Sequence, residues 1–280
     1  MPKNNIVQWR KYTNRFAWPT VCLAIFIFCG FCLSFFLVVK YPYLEIWLGI
    51  WNVIFFYLAF SVAHEAAHGN IHGGNKKWKW VNTFLGWGFT ALFFVPFSVF
   101  RRVHLRHHGV TNDPHRDPDY WVAGDKWWKV LFRCSTIFFH YLSNLGGAIL
   151  REPPKAVCSF SANIIAVFLL GIIITIPYIL GFGDIFVTLW LFPVVCATAL
   201  LAFVFDWLPH HPHQVQQRFM DTRIILFPGL NLVLLGQNYH LIHHLYPKIP
   251  FYNYKTCFDE IEEGLREKGA PISKIIAVPN

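Results

Sequence analysis

Nine of the 14 histidines fall into four compact groups, and imidazole is the commonest metal ligand among side chains. His64 and His68 stand in H-E-A-A-H, His104, His107 and His108 in H-L-R-H-H, and His240, His243 and His244 in H-L-I-H-H. The fourth group is His210, four residues after Asp206. On a helix, positions i, i+3 and i+4 share a side, so each group gathers its imidazoles in one place. A lone H-x-x-x-H is more often surface or packing than ligand; three such groups in one chain are what point to a metal. Imidazole suits Zn, Cu, Fe and Ni, so ligand type alone names no ion. Structural zinc takes four donors in a closed site. Nine histidines are too many for one ion and suit two that keep open positions, which two irons with room for dioxygen meet best. Such a pair can supply the electrons that cleave O2 and break an unactivated C–H bond.

Other polar residues surround these groups. Asp113, Asp117 and Asp119 follow the second group in N-D-P-H-R-D-P-D-Y, where the prolines predict a turn. Asp117 and Asp119 are placed to accept the outer N–H of ligating histidines and so fix tautomer and ring direction. A solvated loop is the competing reading for Asp113. His72 extends the first group to H-x-x-x-H-x-x-x-H. On a continued helix it drifts about 80° from His64, so a place behind the ligands or facing substrate is expected over direct ligation. Glu65 points away from the ligands toward the polar cap. His115, His140, His211 and His213 lack such partners and read as interfacial or exposed.

The elements that position these residues must sit in lipid. A hydrophobic fraction of 55% with only 14% charged residues, and a mean hydropathy of +0.39, fall outside the range of an ordinary soluble domain. Uncharged runs cover 16–39, 46–63, 80–100, 156–183 and 185–205, each long enough to span. Parity decides among them. Were 80–100 to cross, the second histidine group would face the opposite side from the first. That run, with Gly86, Gly88 and Pro96, is therefore read as a re-entrant or interfacial hairpin, leaving four transmembrane helices. The expected fold is all-α: an integral membrane bundle with a cytoplasmic helical cap carrying the histidines, in one domain over 1–280.

Charge agrees with an N-terminus and active site on the cytoplasmic side. Of the 24 Lys and Arg, 4, 12 and 7 lie in 1–15, 64–155 and 209–280, and only Lys40 falls elsewhere, as the positive-inside rule describes. The net +9 is read as orientation and attraction to anionic lipid; no basic helix stands apart to suggest nucleic acid. The first run is long for a signal peptide and is expected to stay as an anchor. Of the seven cysteines, Cys29 and Cys32 form a C-x-x-C inside an apolar run, without a second pair, and are expected to be small buried packing residues. The tryptophans Trp78, Trp80, Trp121, Trp127 and Trp128 read as an interfacial belt.

The histidine groups resemble the histidine boxes of the membrane fatty-acid desaturase and hydroxylase superfamily, over about His64 to Tyr254. The segments VFRRVHLRHHGVTNDPHRDPDYW, FDWLPHHP and LGQNYHLIHHLYPKIPFYNY are similar to cyanobacterial, desaturase-like β-carotene hydroxylases. The resemblance implies a diiron site, with O2 as co-substrate, that inserts oxygen at the 3-position of a β-ionone ring to give a zeaxanthin-type product. It assigns His64, His68, His104, His107, His108, His240, His243 and His244 to metal binding. His210 matches a further histidine near the end of the last span. Asp206 stands where desaturases of known architecture place a water-holding amide, a departure that leaves two roles open: orienting His210, or approaching one iron through water.

A fatty-acyl desaturase or hydroxylase with the same centre is the alternative reading. A metal transporter predicts ionisable groups near the bilayer midplane, which these spans lack. Electrons must come from a separate carrier, since no haem, flavin, nicotinamide or iron–sulfur fingerprint occurs. On the carotenoid reading that carrier is a ferredoxin, docking near Lys76, Lys77 and Lys79, for which lipid contact is the competing role.

Overall fold

Helix dominates because an apolar segment in lipid must satisfy its own backbone N–H and C=O groups. A computed structural model describes residues 7–13, 15–150 and 160–274, the side chains at 142, 144–150, 160–163 and 166 apart. Helix α1 (Trp18–Lys40) and α2 (Glu45–His68) form the first pair, followed by α3 (Lys79–Ala91), α4 (Phe97–Gly109), α5 (Trp127–Leu150) and α6 (Phe160–Ile179). α7 (Gly183–His210) runs on through two π-helical stretches, Val187–Leu191 and Ala202–Trp207. α8 (His240–Leu245) and α9 (Tyr254–Glu267) follow. Strand is confined, among the described residues, to Ile224–Ile225 paired in parallel with Ile272–Ser273.

Three of the described helices are long and apolar enough to cross a bilayer: Trp18–Lys40, Pro42–His68 and Gly183–His210, with mean hydropathies of 2.8, 1.9 and 2.3. The fourth expected span, 156–183, begins outside the described residues; its described part, 160–183, holds α6, 20 residues long. The run 80–100 forms a hairpin. α3 and α4 have 13 residues each, about 20 Å of helix apiece, and the chain breaks between them where Phe94 takes a φ of 59° and Pro96 precedes α4.

α2 lies at the centre. α1 meets it along Thr20, Ala24, Ile27, Ser34 and Val38. α7 approaches so closely at Gly49 that a Cβ there would stand 2.6 Å from the Thr188 carbonyl oxygen. One polar contact ties the three helices in their apolar interior. Ser34 Oγ donates to Asn52 Oδ1 at 2.7 Å, and Asn52 Nδ2 donates to the Leu189 carbonyl at 2.9 Å, inside the first π-helical stretch.

The stripe that α1 presents to α2 leaves Cys22, Cys29 and Cys32 on its outer face. The buried packing role expected of Cys29 and Cys32 fails, because they fall off that stripe; Cys158 lies outside the described residues. Trp80, Trp127 and Trp128 are exposed, as a belt requires, whereas Trp121 turns inward and stacks on His140 at 4.2 Å. Beyond the spans, Tyr254, Cys257, Phe258, Ile261 and Leu265 of α9 pack on Tyr239, Leu241, Ile242 and Tyr246, a second core beneath the histidines.

Candidate metal centre

Each histidine group sits at an element end for a local reason. Gly69 takes φ 70°, a left-handed conformation that stops α2 directly after His68. His104, His107 and His108 occupy the last turns of α4, His210 ends α7, and His240, His243 and His244 make up half of α8. All nine converge, but the sequence groups do not stay together. His64, His68, His104, His108 and His243 form one cluster, and His107, His210, His240 and His244 another. Within each, one ring nitrogen from every histidine lies within 4.8 Å of the others. The clusters abut, with the rings of His108 and His244 4.4 Å apart between centroids.

The inner nitrogens face one another. Nε2 atoms are separated by 3.0 Å between His64 and His243, 2.7 Å between His68 and His104, and 3.1 Å between His210 and His240. Four of the nine histidines have a partner at the outer nitrogen, whereas Nδ1 of His64, His108 and His210 is buried without one. His107 Nδ1 donates to Asp117 Oδ1 at 2.8 Å, with Asp119 Oδ2 at 3.3 Å. His240 Nδ1 donates to Gln237 Oε1 at 2.9 Å, and His243 Nδ1 lies 2.8 Å from the Tyr254 hydroxyl. His244 Nδ1 lies 3.4 Å from Thr111 Oγ1, whose own proton goes to the His107 carbonyl. A neutral imidazole has one N–H, so a ring that donates from Nδ1 offers a lone pair at Nε2. Such lone pairs, turned toward each other at about 3 Å, fit a cation between them. The donor set therefore suits two metal ions, with the outer partners fixing each tautomer.

Burial, and then the charge of neighbouring rings, pushes His104, His108, His243 and His244 well below the usual imidazole range, and the same two causes act on His240. They are lone-pair donors at neutral pH. His107 is the exception. Burial pulls it down, but Asp119 and Asp117 outweigh this and hold it up at about 9. Burial raises Asp119, whose Oδ1 accepts from the Tyr141 hydroxyl at 2.7 Å.

A cavity of about 770 Å³ opens onto the centre. It is lined by the aromatics Phe60, Phe93, Phe100 and Phe138, by His64, His104, His107, His240 and Asp206, and by Arg102, Arg106, Arg116 and Arg133. Asp206 belongs to the second π-helical stretch, an irregularity that often marks functional positions.

Several expectations need correction. His72 is not on a continued helix: the chain leaves α2 at Gly69, and His72 Nδ1 accepts from the Gly74 N–H in the turn, in neither cluster. Asp206 does not orient His210, whose Nδ1 is buried without a partner; it faces the cavity instead. Glu65 does not reach a polar cap; it is fully buried, accepts from Asn70 Nδ2 at 3.3 Å and stands 3.8 Å from His64 Nδ1. His213, expected exposed, is buried, and burial lowers it to about 4. Asp117 and Asp119 both lie beside His107 Nδ1, while Asp113 pairs with Arg116. The sequence reading missed Gln237, Thr111 and Tyr254. Gln237 carries a weak signal, lying three residues before His240. Tyr254 carries none, being brought back by the turn at Pro247–Pro250.

Comparison with known proteins gives two findings. A family model described as fatty acid desaturase matches residues 41–275. A dihydrorhizobitoxine desaturase of Bradyrhizobium elkanii is 27% identical over 192 residues, covering 58% of this chain and 54% of the relative. The chain thus spans about half the length of the curated relative it matches.

Proposed function

This chain belongs to the fatty acid desaturase family, and from that premise we propose that it is a membrane oxygenase whose two histidine clusters hold two non-haem irons and which hydroxylates a carotenoid ring. The product would be of the zeaxanthin type, from a β-carotene 3-hydroxylation. The observation that carries the reading is the division of nine converging imidazoles into abutting clusters of five and four at the end of an aromatic-walled cavity.

Ring hydroxylation places one oxygen atom of O2 into a C–H bond while two electrons and two protons from outside reduce the other to water. When bound, the irons supply the oxidising power for that insertion. The chain's own residues supply position. Asp117, Gln237, Thr111 and Tyr254 hold four imidazoles in the tautomer that presents Nε2 inward. Phe60, Phe93, Phe100 and Phe138 exclude water and offer flat faces to a conjugated polyene. Asp206, which lines the cavity with His107 and His240, is placed to hold a water beside them. The N-terminus and centre lie on the cytoplasmic side in this reading. A separate carrier, a ferredoxin, delivers electrons at the basic face near Lys76, Lys77 and Lys79.

A second reading, an acyl-lipid desaturase or hydroxylase, is favoured by the desaturase relative. Expression in a bacterium that makes β-carotene, with a His243→Ala strain as blank, separates the two. Chromatography should show hydroxylated carotenoid in the wild-type strain only. Unchanged pigment together with new double bonds in the acyl chains overturns the carotenoid assignment in favour of the second reading.

A further inference from the structure

The two clusters lie in opposite electrostatic surroundings. Around the five-histidine cluster, the last carbonyls of α2 each accept a side-chain donor from a different element. Asn82 Nδ2 of α3 bonds the Ala66 carbonyl at 3.0 Å, Arg101 Nε of α4 bonds that of Ala67 at 2.9 Å, and Lys248 Nζ bonds that of His68. Asn70 returns the grip, its Nδ2 donating to the Pro247 carbonyl at 3.1 Å. Two full positive charges thus stand at the turn that carries His64 and His68. Against them are one carboxylate, Glu65, beyond hydrogen-bond reach of His64 at 3.8 Å, and the end of α2, worth about half a negative charge.

Around the four-histidine cluster the groups nearest the rings are carboxylates. Asp117 bonds His107 at 2.8 Å, Asp119 stands 3.3 Å from the same nitrogen, and Asp206 lines a cavity with His107 and His240. The cations on that side are Arg223, on the His211 carbonyl, and Arg102, Arg106, Arg116 and Arg133 in the cavity lining, of which Arg116 pairs with Asp113 and Arg133 bonds the Ala123 carbonyl.

We infer that the two metal positions are unequal: the four-histidine cluster fills first and more tightly, and the five-histidine cluster fills second, although it has one more imidazole. The inference rests on the reading that both clusters hold metal. A fifth imidazole adds a neutral donor, whereas Asp117 makes His107 a more basic ligand and the surrounding charges act on a dication with little screening when buried. Arg101 and Lys248 place positive charge at the end of α2 and so weaken the first cluster's hold on a cation.

The test is a Co2+ titration, at pH 9, of the full-length, metal-free protein in detergent, followed by the metal's absorption bands and by bound metal per chain. Wild type should take up two equivalents, with the first dissociation constant at least tenfold below the second. His210→Ala should lose the tight step and keep the weak one; His68→Ala should do the reverse. Asp117→Asn should weaken the tight step ten- to a hundredfold, the range for a lost outer partner. Asp119→Asn, which leaves the His107–Asp117 bond in place, should weaken it in the same direction and serves if Asp117→Asn fails to fold, as circular dichroism would show. Lys248→Met should tighten the weak step, and Lys248→Arg should leave it unchanged. Were Lys248 only a brace for His68, Lys248→Met would loosen that step instead. Two equal steps, a tight step that survives in His210→Ala, or loosening by Lys248→Met overturns the inference. A wild-type protein that binds no Co2+ overturns the reading of the centre itself.

Discussion

Tyr254→Phe removes one oxygen atom and tests whether the outer partners hold the centre. Tyr254 is fully buried, and its hydroxyl lies 2.8 Å from His243 Nδ1. With a metal on Nε2, His243 must carry its proton on Nδ1, so the hydroxyl oxygen accepts it. In the variant that N–H is buried without an acceptor, at a cost of about 1–3 kcal/mol. At about 1.4 kcal/mol per factor of ten, metal affinity should fall roughly five- to a hundredfold. The ring keeps its place in the core of α8 and α9, so the metal-free fold should persist. Because His243 belongs to the five-histidine cluster, only the second, weaker step should move. Burial, and then the charge of Glu65, holds the Tyr254 hydroxyl well above its ordinary range. It stays neutral between pH 6 and 9, and the loss should be the same across that window. Equilibrium Co2+ titration and the rate of metal loss to a chelator measure both points. Affinity within twofold of wild type would refute the argument that this hydroxyl fixes the ligand.

Three further outcomes follow from the structure. In the metal-free protein His107 alone among the described α4 and α8 histidines is held up, at about 9, so a metal must displace its proton. Affinity of the four-histidine cluster should rise about tenfold per pH unit and level off above 9; a flat profile, or a slope of two, would refute it. The raised value has a stability consequence as well. His107 stabilises the metal-free fold fully below its unfolded value of 6.5, and that contribution is lost as pH rises through about 9, so the thermal midpoint should drop over that interval. Asn52→Leu strips Ser34 Oγ and the Leu189 carbonyl of their partner. It should cost about 0.6–2 kcal/mol, a fall of roughly 2–8 °C in the detergent midpoint, with activity per bound metal unchanged; an unaltered midpoint would show that the contact is not stabilising.

What could be read in the chain before folding was whatever depends on short spacing. The H-x-x-x-H and H-x-x-H-H groups are local, and the need to bring them to one face was enough to remove 80–100 from the spans. Non-local features were hidden. Glu65 looks like a solvated acid between two ligands and is sealed only because Asn70 and the segment leading to Phe251 close over it. Tyr254 reaches His243 through a turn that no periodicity announces. The helical placement of His72 failed for a different reason: the period was applied past Gly69, where a positive φ had already ended the helix.

The division into five and four was, by contrast, latent in the spacing. Successive residues on a helix point about 100° apart, so two adjacent histidines cannot both aim at the same ion. The doublets His107–His108 and His243–His244 must therefore straddle two positions, and each does. α4 sends His104 and His108, four apart, to one cluster and His107 to the other; α8 sends His240 and His244 to the second and His243 to the first. The two helices contribute in mirror fashion, a pair to one side and a single ring to the other. His64 and His68 then complete the five, and His210 completes the four. An H-x-x-H-H motif on a helix thus serves both clusters at once. A third such helix would be superfluous, whereas the loss of either doublet would reduce both positions at once.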